Sequence, residues 1–396
     1  MNLFYFNYSH ELALANDRVN YYSPVHVRCM ERDLMPLATW LAHPDDVVAV
    51  AEDRVALCRD FYAVAGLDAC QFVPADSLPS GYEPCTWGFD RHVVWQMRKN
   101  GAGGLPSDET LRTIRALSSR RLAVELLVEL RNRLSDEPLC GESFFCQSED
   151  EISAVVSRFG RTVLKAPLSG SGRGLRFAES CLSEPLTGWL KNTLKTQGGI
   201  VVEPFLEGKV HDLACEFVAG ADGTVRFVGL SLFFISGRCS YEGNLLASQS
   251  RLRHRLFEGP DAFPEPVFNR VAEELRILLQ QRLGGHYAGP LGVDMMLVRD
   301  AEDMHRLHPC VEINLRHTMG HVALHLSQRL PAETEARFSI DYNQTSGELC
   351  RIWKDRSPFS FSQDASLVDE PFSSVRRRWL LTPLCRDTNY VAYVEV

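Results

Sequence analysis

An α/β fold, with some segregated α+β elements, follows from three features of this 396-residue chain. Short apolar runs alternate with helical patterns over roughly the first 115 residues. Amphipathic helices recur at residues 117–134 and 267–283. The composition, 45% hydrophobic and 23% charged, supplies enough apolar surface for more than one core.

Taken in order, residues 1–6 form an apolar run of strand length, followed by the polar turn at 7–11. A second strand spans 47–51, a helix 55–64 and a third strand 70–73. The helix at 117–134 is marked by Leu122, Leu126, Leu127 and Leu130, with Ser118 or Ser119 as its N-cap and Pro138 just beyond it. A helix at 150–159, a strand at 162–166, a Gly/Ser loop, a helix at 186–196 and a strand at 200–204 come next. Strands at 213–218 and 224–234 lead into a polar loop at 236–244. The 267–283 helix places Val267, Val271, Leu275, Leu278, Leu279 and Leu283 on one face and stops at Gly284-Gly285. Strands at 292–298 and 310–315 are joined by a charged turn, and strand-like segments at 378–382 and 390–396 follow a Ser-rich stretch.

The net charge of -9 opposes the basic footprint of a nucleic-acid binder. No apolar run reaches the eighteen or so residues of a membrane span, and the first seven residues do not read as a signal peptide. A cytoplasmic protein is expected, with no nucleic-acid or membrane partner. The twelve cysteines include no C-x-x-C pair and read as reduced thiols.

Two constellations carry chemistry. In the first, the strand ending at Lys165 runs into Ala-Pro-Leu-Ser-Gly170-Ser171-Gly172-Arg173-Gly174. Glycines let backbone N–H groups approach phosphate oxygens while a nearby ammonium offsets their charge. The spacing is neither a Walker loop nor a dinucleotide fingerprint, and a plain surface loop is the competing interpretation. In the second, Glu312 and Asn314 lie two apart on one strand, and a hairpin centred near Asp303 sets Asp294 opposite Glu312. Two carboxylates and an amide suit a hard cation such as Mg²⁺, against the alternative of a polar strand face.

The order of these features, with Val202-Glu203-Pro-Phe-Leu206 between them and Val311-Glu-Ile-Asn-Leu-Arg316 at the end, resembles the ATP-grasp superfamily, the fold of carboxylate–amine ligases. The resemblance covers about residues 116–330. It implies an ATP-grasp fold with an N-terminal α/β pre-ATP-grasp domain at 1–115, a central subdomain at 116–202, a C-terminal subdomain at 203–335 and a β-containing extension at 336–396. It further implies that ATP is held by Lys165, by the lid residues Gly170, Ser171, Gly172 and Arg173, and by the hinge residues Glu203, Phe205 and Leu206. Asp294, Glu312 and Asn314 would take Mg²⁺, or Mn²⁺ in its place, and Arg316 would stabilise the transferring phosphoryl group together with Lys165.

Two departures stand out. The family's first lysine is replaced by Arg120, in Leu117-Ser-Ser-Arg120-Arg121, and the ribose-binding acid has two candidates, Asp212 and Glu207. Outside this core, His10 and Glu11 follow the first strand, and Arg238, Tyr241 and Asn244 fall in the 236–244 loop. All five are substrate-side candidates, as is His317. His317, His321 and His325 recur every four residues, which aligns them on one helix face, a spacing shared with zinc sites. Their position after the metal strand favours His317 lining the site and the other two packing beneath it. The implied activity is an ADP-forming ligase joining a small-molecule or peptide carboxylate to an amine, in a monomer or a homodimer. The rivals are an ATP-grasp phosphotransferase and a nucleotide-binding regulatory module without turnover.

Overall fold

The computed structural model describes residues 1–67, 70–170, 174–237, 240–259, 261–354, 356–359 and 377–396. The chain divides into two compact units, one made of residues 1–111, 242–248 and 316–396, the other of residues 112–241 and 249–315.

The first unit opens with β1 (Asn2–Tyr5), β2 (Val47–Val50), β3 (Gln71–Pro74) and β4 (Glu83–Thr86). They form a parallel sheet in the order β3-β2-β1-β4. The continuous apolar run of β2, with all four residues buried, suits a strand covered on both faces. The chain adds strands on one side of β1 and then crosses to the other for β4. The carboxyl ends of β1 and β4 therefore flank a topological switch point, where open α/β sheets gather ligand groups. The helices His10–Asn16 and Arg91–Lys99 start just beyond those ends. β4 and the Arg91–Lys99 helix are not foreseen from sequence.

The second unit contains β5 (Phe144–Cys146), β6 (Arg161–Lys165), β7 (Leu175–Glu179) and β8 (Ile200–Pro204), which pair antiparallel in the order β5-β8-β6-β7. The helices Glu149–Phe159 and Glu184–Gln197 bury Ile152, Val156, Leu186 and Leu190 in one core with Leu164, Ile200 and Val202 from this sheet. β9 (Lys209–Ala219) and β10 (Val225–Ile235) follow. β11 (Tyr241–Leu246) belongs chiefly to the first unit, and β12 (Gly289–Arg299) and β13 (His305–Asn314) return to the second, giving an antiparallel order β13-β12-β9-β10. The Arg120–Arg133 helix starts where Ser119 accepts the Arg121 amide and buries Leu122, Leu126, Leu127 and Leu130. The Glu265–Leu283 helix buries all six of the residues its periodicity selects.

β14 (Ala336–Tyr342), β15 (Arg378–Leu380) and β16 (Tyr390–Glu395) complete the first unit, pairing antiparallel in the order β11-β14-β16-β15. Its core joins Phe4, Phe6, Trp40, Tyr62 and Val48 to Phe338, Ala392 and Val394. One expectation is corrected here: the stretch ending at residue 244 is not all loop, because Tyr241–Leu246 is a strand with Asn244 paired to Phe338 and buried. Gly243 makes that pairing feasible, since a Cβ there would lie 2.2 Å from the Phe338 carbonyl oxygen. Among the described residues no helix is long and apolar enough to cross a membrane, and the cysteines are free thiols.

Candidate functional site

In the second unit, the Arg120 backbone amide, at the start of its helix, donates to the Pro167 carbonyl at 3.0 Å. Its buried guanidinium then reaches three partners. One terminal nitrogen donates to the Ala166 carbonyl and to Ser169 Oγ, each at 2.6 Å. The other donates to the Ser169 carbonyl at 2.9 Å and to Glu312 Oε1 at 2.6 Å. Arg120 Nε is buried and has no hydrogen-bond partner among the described residues. A fork-shaped cation thus holds the entry to the Gly-rich loop against a carboxylate 192 residues away in sequence.

Lys165 ends β6, and its Nζ pairs with Glu203 Oε2 at 2.6 Å, with both side chains largely buried. Glu203 Oε1 accepts from Ser143 Oγ at 2.9 Å. Burial works to raise the Glu203 carboxyl, but the Lys165 ammonium, aided by the Ser143 hydroxyl, outweighs it and holds the group below the ordinary carboxylate range. Burial pushes the His308 imidazole down to about 4 against the pull of Glu203, so it is neutral, and its Nδ1 has no partner among the described residues. Its ring fits because position 141 is glycine: a Cβ there would lie 2.3 Å from it.

Past β8, Phe205 is half-buried with the Arg161 guanidinium 3.8 Å from its ring centroid, and Leu206 follows, also half-buried. Of the two ribose-acid candidates, Glu207 is exposed and pairs with Arg161 at 3.1 Å. Asp212 lies on β9 with Lys209 Nζ at 2.7 Å, and burial raises its carboxyl in spite of that lysine.

The β12–β13 hairpin sets Asp294 directly opposite Glu312, the register its spacing predicts, and Asn314 opposite Gly292. Asn314 Nδ2 donates to Asp294 Oδ2 at 3.2 Å. The oxygen set is therefore assembled on one strand pair, with Glu312 bonded to Arg120. Its donors are hard oxygens, two carboxylates and an amide, the kind Mg²⁺ prefers, so the residue types fit a divalent cation, which would compete with Arg120 for Glu312. Among the described residues no group of three or more His, Cys, Asp or Glu side chains is arranged to hold a metal.

His10, Glu11, Arg316 and His317 fall in the first unit. His10 is buried, with Nδ1 3.1 Å from Asp90 Oδ2. Asn7 Nδ2 donates to the same oxygen at 3.0 Å and to the Gly88 carbonyl at 2.9 Å. Asp90 Oδ1 caps the Arg91–Lys99 helix by accepting from the Val93 amide at 2.9 Å. Glu11 is ion-paired with Arg316 Nε, and although burial works to raise its carboxyl, Arg316 holds it below the ordinary range. The Arg316 guanidinium also lies 5.7 Å from the Trp87 ring centroid.

His317 is not part of a three-histidine helix face. Thr318 is the N-cap of the Met319–Ser327 helix, its hydroxyl accepting from the His321 amide, so His317 precedes the helix. His317 Nδ1 donates to the Thr86 carbonyl at 3.0 Å, and burial between Phe6 and Trp87 pushes its imidazole down to about 3. His321 Nδ1 accepts from the Thr318 amide, which commits it to the cap.

The structure thus gathers Arg120, Asp294, Glu312 and Asn314 into one cluster, Lys165 and Glu203 into another within the same unit, and His10, Glu11, Arg316 and His317 around the β1 and β4 ends of the other unit. Tyr241 and Asn244 lie on β11, Gly170 is half-buried beyond Ser169, and Ser171, Gly172, Arg173 and Arg238 lie outside the described residues. Asp90, Asn7, Ser143, Ser169 and His308 are not foreseen as site residues. The single local signal is Asp90, an N-cap type just ahead of the amphipathic segment Val93-Val94-Met97.

No family model matches the chain, and no curated protein matches it by sequence. Solved structures do. The biotin carboxylase of Campylobacter jejuni, in its β-γ-ATP complex, superposes with a TM-score of 0.52 at 12% identity over 100% of this chain and 87% of that one. The biotin carboxylase domain of Hydrogenobacter thermophilus 2-oxoglutarate carboxylase, in complex with MgADP, ADP and bicarbonate, gives 0.50 at 12% identity over 91% and 83%. N5-carboxyaminoimidazole ribonucleotide synthetase from Thermus thermophilus gives 0.47 at 13% identity over 91% of each chain. At such identities the first two establish the fold alone: the chain has the mixed α/β ATP-grasp fold.

Proposed function

We propose that this ATP-grasp chain is an ATP- and Mg²⁺-dependent ligase that activates a carboxylate as its acyl phosphate and joins it to an amine, releasing ADP and phosphate. The observation that carries the reading is the meeting of Arg120 with Glu312 on the strand pair that also presents Asp294 and Asn314. A guanidinium able to bind phosphate and a set of hard oxygen donors stand within one hydrogen bond of each other. Phosphoryl transfer asks for that combination, because catalysis rests on positioning and on offsetting charge spread over phosphate oxygens.

In this reading Arg120 turns part of its fork from Glu312 to the nucleotide, its buried Nε being a donor still to be satisfied. Lys165 supplies a second phosphate contact, with Glu203 as its counter-charge until nucleotide enters. Phe205 and Leu206 offer apolar surface for the base, and Asp212 a carboxylate for the ribose. Asp294, Glu312 and Asn314 would hold Mg²⁺, which would supply positive charge against the phosphate oxygens. Arg316, kept in place by Glu11, steadies negative charge on the carboxylate's adduct. The solved biotin carboxylases of this fold, one in a β-γ-ATP complex and one with MgADP, support the nucleotide assignment.

The test is ADP release from ATP and Mg²⁺ in fractionated metabolite pools. The reading expects release that requires a carboxylate fraction and an amine fraction together, and its loss in Glu312→Ala. Nucleotide binding with no ADP from any pool would overturn it, and ADP formation without free phosphate would identify a phosphotransferase instead.

A further inference from the structure

The last turns of the Arg120–Arg133 helix and the segment that follows them enclose a cavity of about 370 Å³, a size common among ligand sites. It lies wholly within the second unit, and the residues given above to nucleotide and cation are not among those lining it. Its walls are fixed before any ligand arrives. Leu139 bridges to Leu307 of β13, the Cys140 amide donates to the Leu307 carbonyl at 2.9 Å, and the Leu307 amide donates to the Pro138 carbonyl at 3.1 Å. Arg131 then ties the segment back to the helix by donating to the Gly141 carbonyl at 2.7 Å.

The lining has a definite chemistry. Leu127, Leu134, Leu139 and Phe144 supply apolar surface, and Val128 adds a side chain that is 52% exposed. Among the described residues three charged side chains line the cavity, Arg131, Glu137 and Glu142. Glu137 already pairs with Arg270, and Glu142 with Arg158 at 3.6 Å, so each carboxylate has its cation. Arg131 has no such counter-charge. Its sole hydrogen-bond partner among the described residues is the neutral Gly141 carbonyl, which leaves most of a five-donor fork to be used. The charge balance therefore favours an anion. Carbonyls at the C-terminal end of the helix act the other way, but that effect is weaker than a charge-assisted hydrogen bond from a guanidinium.

The same segment joins the cavity to Lys165. Ser143 lines the cavity and donates its hydroxyl to Glu203 Oε1 at 2.9 Å, while Glu203 Oε2 holds Lys165 Nζ at 2.6 Å. Lys165 can turn to phosphate only as Glu203 gives it up. A ligand bound by Arg131 while the guanidinium keeps Gly141 stiffens residues 141–143, and with them the hold of Ser143 on Glu203. Such a ligand favours the paired state of Lys165 that a nucleotide must undo.

We infer that this cavity is an effector site for a small apolar monoanion, a carboxylate on a hydrocarbon or aromatic body, and that its occupation opposes nucleotide binding at Lys165. The opposition rests on the nucleotide assignment above; the site itself does not.

The experiment has two arms. In the first, three probes of one shape and different charge, 3-phenylpropionate, 3-phenylpropan-1-ol and 3-phenylpropylamine, are titrated into full-length protein by calorimetry. The carboxylate should bind at a single site, and the alcohol and amine about tenfold more weakly or less. Val128→Glu sets a carboxylate three residues from Arg131 on the same helix face, where it can take the guanidinium. It should weaken carboxylate binding about tenfold, as should Arg131→Met. Val128→Lys, a change at the same exposed position, should keep or tighten it. Circular dichroism checks that each variant is folded.

In the second arm, ATP is titrated with and without saturating 3-phenylpropionate. The Kd for ATP should rise about fivefold in wild type and stay unchanged in Ser143→Ala, which should still bind the carboxylate. No binding of the carboxylate, equal binding of the amine, or carboxylate binding that survives both Val128→Glu and Arg131→Met overturns the site. An ATP Kd that does not move, or that rises as much in Ser143→Ala, overturns the link to Lys165. If the protein binds no ATP at all, the nucleotide assignment falls and the link with it, while the first arm still decides the site.

Discussion

Removing Arg120 should strengthen cation binding at the oxygen set when nucleotide is absent. Glu312 cannot give its Oε1 fully to a metal while that oxygen accepts from Arg120 at 2.6 Å, so a bare cation must first open the contact. A hydrogen bond between charged partners contributes about 1.5–3 kcal/mol net. Arg120 is 6% exposed but the Glu312 side chain is 28% exposed, so solvent screening places this pair at the lower end. About 1.5 kcal/mol corresponds to about a tenfold change in dissociation constant. Arg120→Met should therefore bind Mn²⁺ about tenfold more tightly than wild type in a nucleotide-free titration read by the electron paramagnetic resonance of free Mn²⁺. Arg120→Lys, which keeps the charge but loses the fork, should fall between. The same Arg120→Met protein should bind ATP more weakly, because the guanidinium that faces phosphate is gone. Far-ultraviolet circular dichroism checks that the variants are folded. Folded Arg120→Met with Mn²⁺ affinity equal to or below that of wild type would refute the competition between arginine and metal for Glu312.

The other expectations concern stability and are measured by denaturant unfolding. Lys165→Met leaves the buried Glu203 carboxylate without its ammonium partner, so it should cost about 3–5 kcal/mol at pH 7, and Lys165→Met/Glu203→Gln distinctly less. The pH dependence should also change sign. In wild type the Glu203 carboxyl is held low, so its contribution is present above the unfolded value and lost as pH falls through the folded one. In Lys165→Met burial acts unopposed by the lysine, so the variant should be less destabilised near pH 4 than at pH 7. His308, pushed down to about 4, contributes stability above its unfolded value near 6.5 that is lost as pH falls toward 4, about 3 kcal/mol in all. His308→Gln should flatten that limb, and an unchanged acid limb would count against a neutral buried imidazole. Gly88→Ala should cost about 1–3 kcal/mol, since its Cβ would meet the His10 ring at 2.5–2.7 Å.

What could be read from the sequence, and what could not, divides along physical lines. Periodic burial was legible: Leu122, Leu126, Leu127 and Leu130 and the Ser119 cap locate one helix, and the spacing around Asp303 sets Asp294 opposite Glu312. Strands with weak alternation were not. β4 reads Glu-Pro-Cys-Thr and β7 Leu-Arg-Phe-Ala-Glu, too mixed for a two-residue period to stand out. The 236–244 stretch has loop composition, yet Gly243 and Asn244 sit in a strand because backbone contact with Phe338 requires a glycine there. Partnerships over long separations were the least legible. Arg120 with Glu312 spans 192 residues and His10 with Asp90 spans 80, and no local pattern encodes either. The four-residue spacing of His317, His321 and His325 misled because Thr318 starts the helix one residue after the first of them.

Activation of a carboxylate by ATP before an amine takes the acyl group can be followed by tracing oxygen. A metabolite pool whose carboxylates carry ¹⁸O is incubated with the protein, ATP and Mg²⁺ in ordinary water, and the released phosphate is analysed by mass spectrometry. Each phosphate released should carry one ¹⁸O, transferred from the carboxylate when the C–O bond of the acyl phosphate breaks. ADP accompanied only by unlabelled phosphate would contradict it.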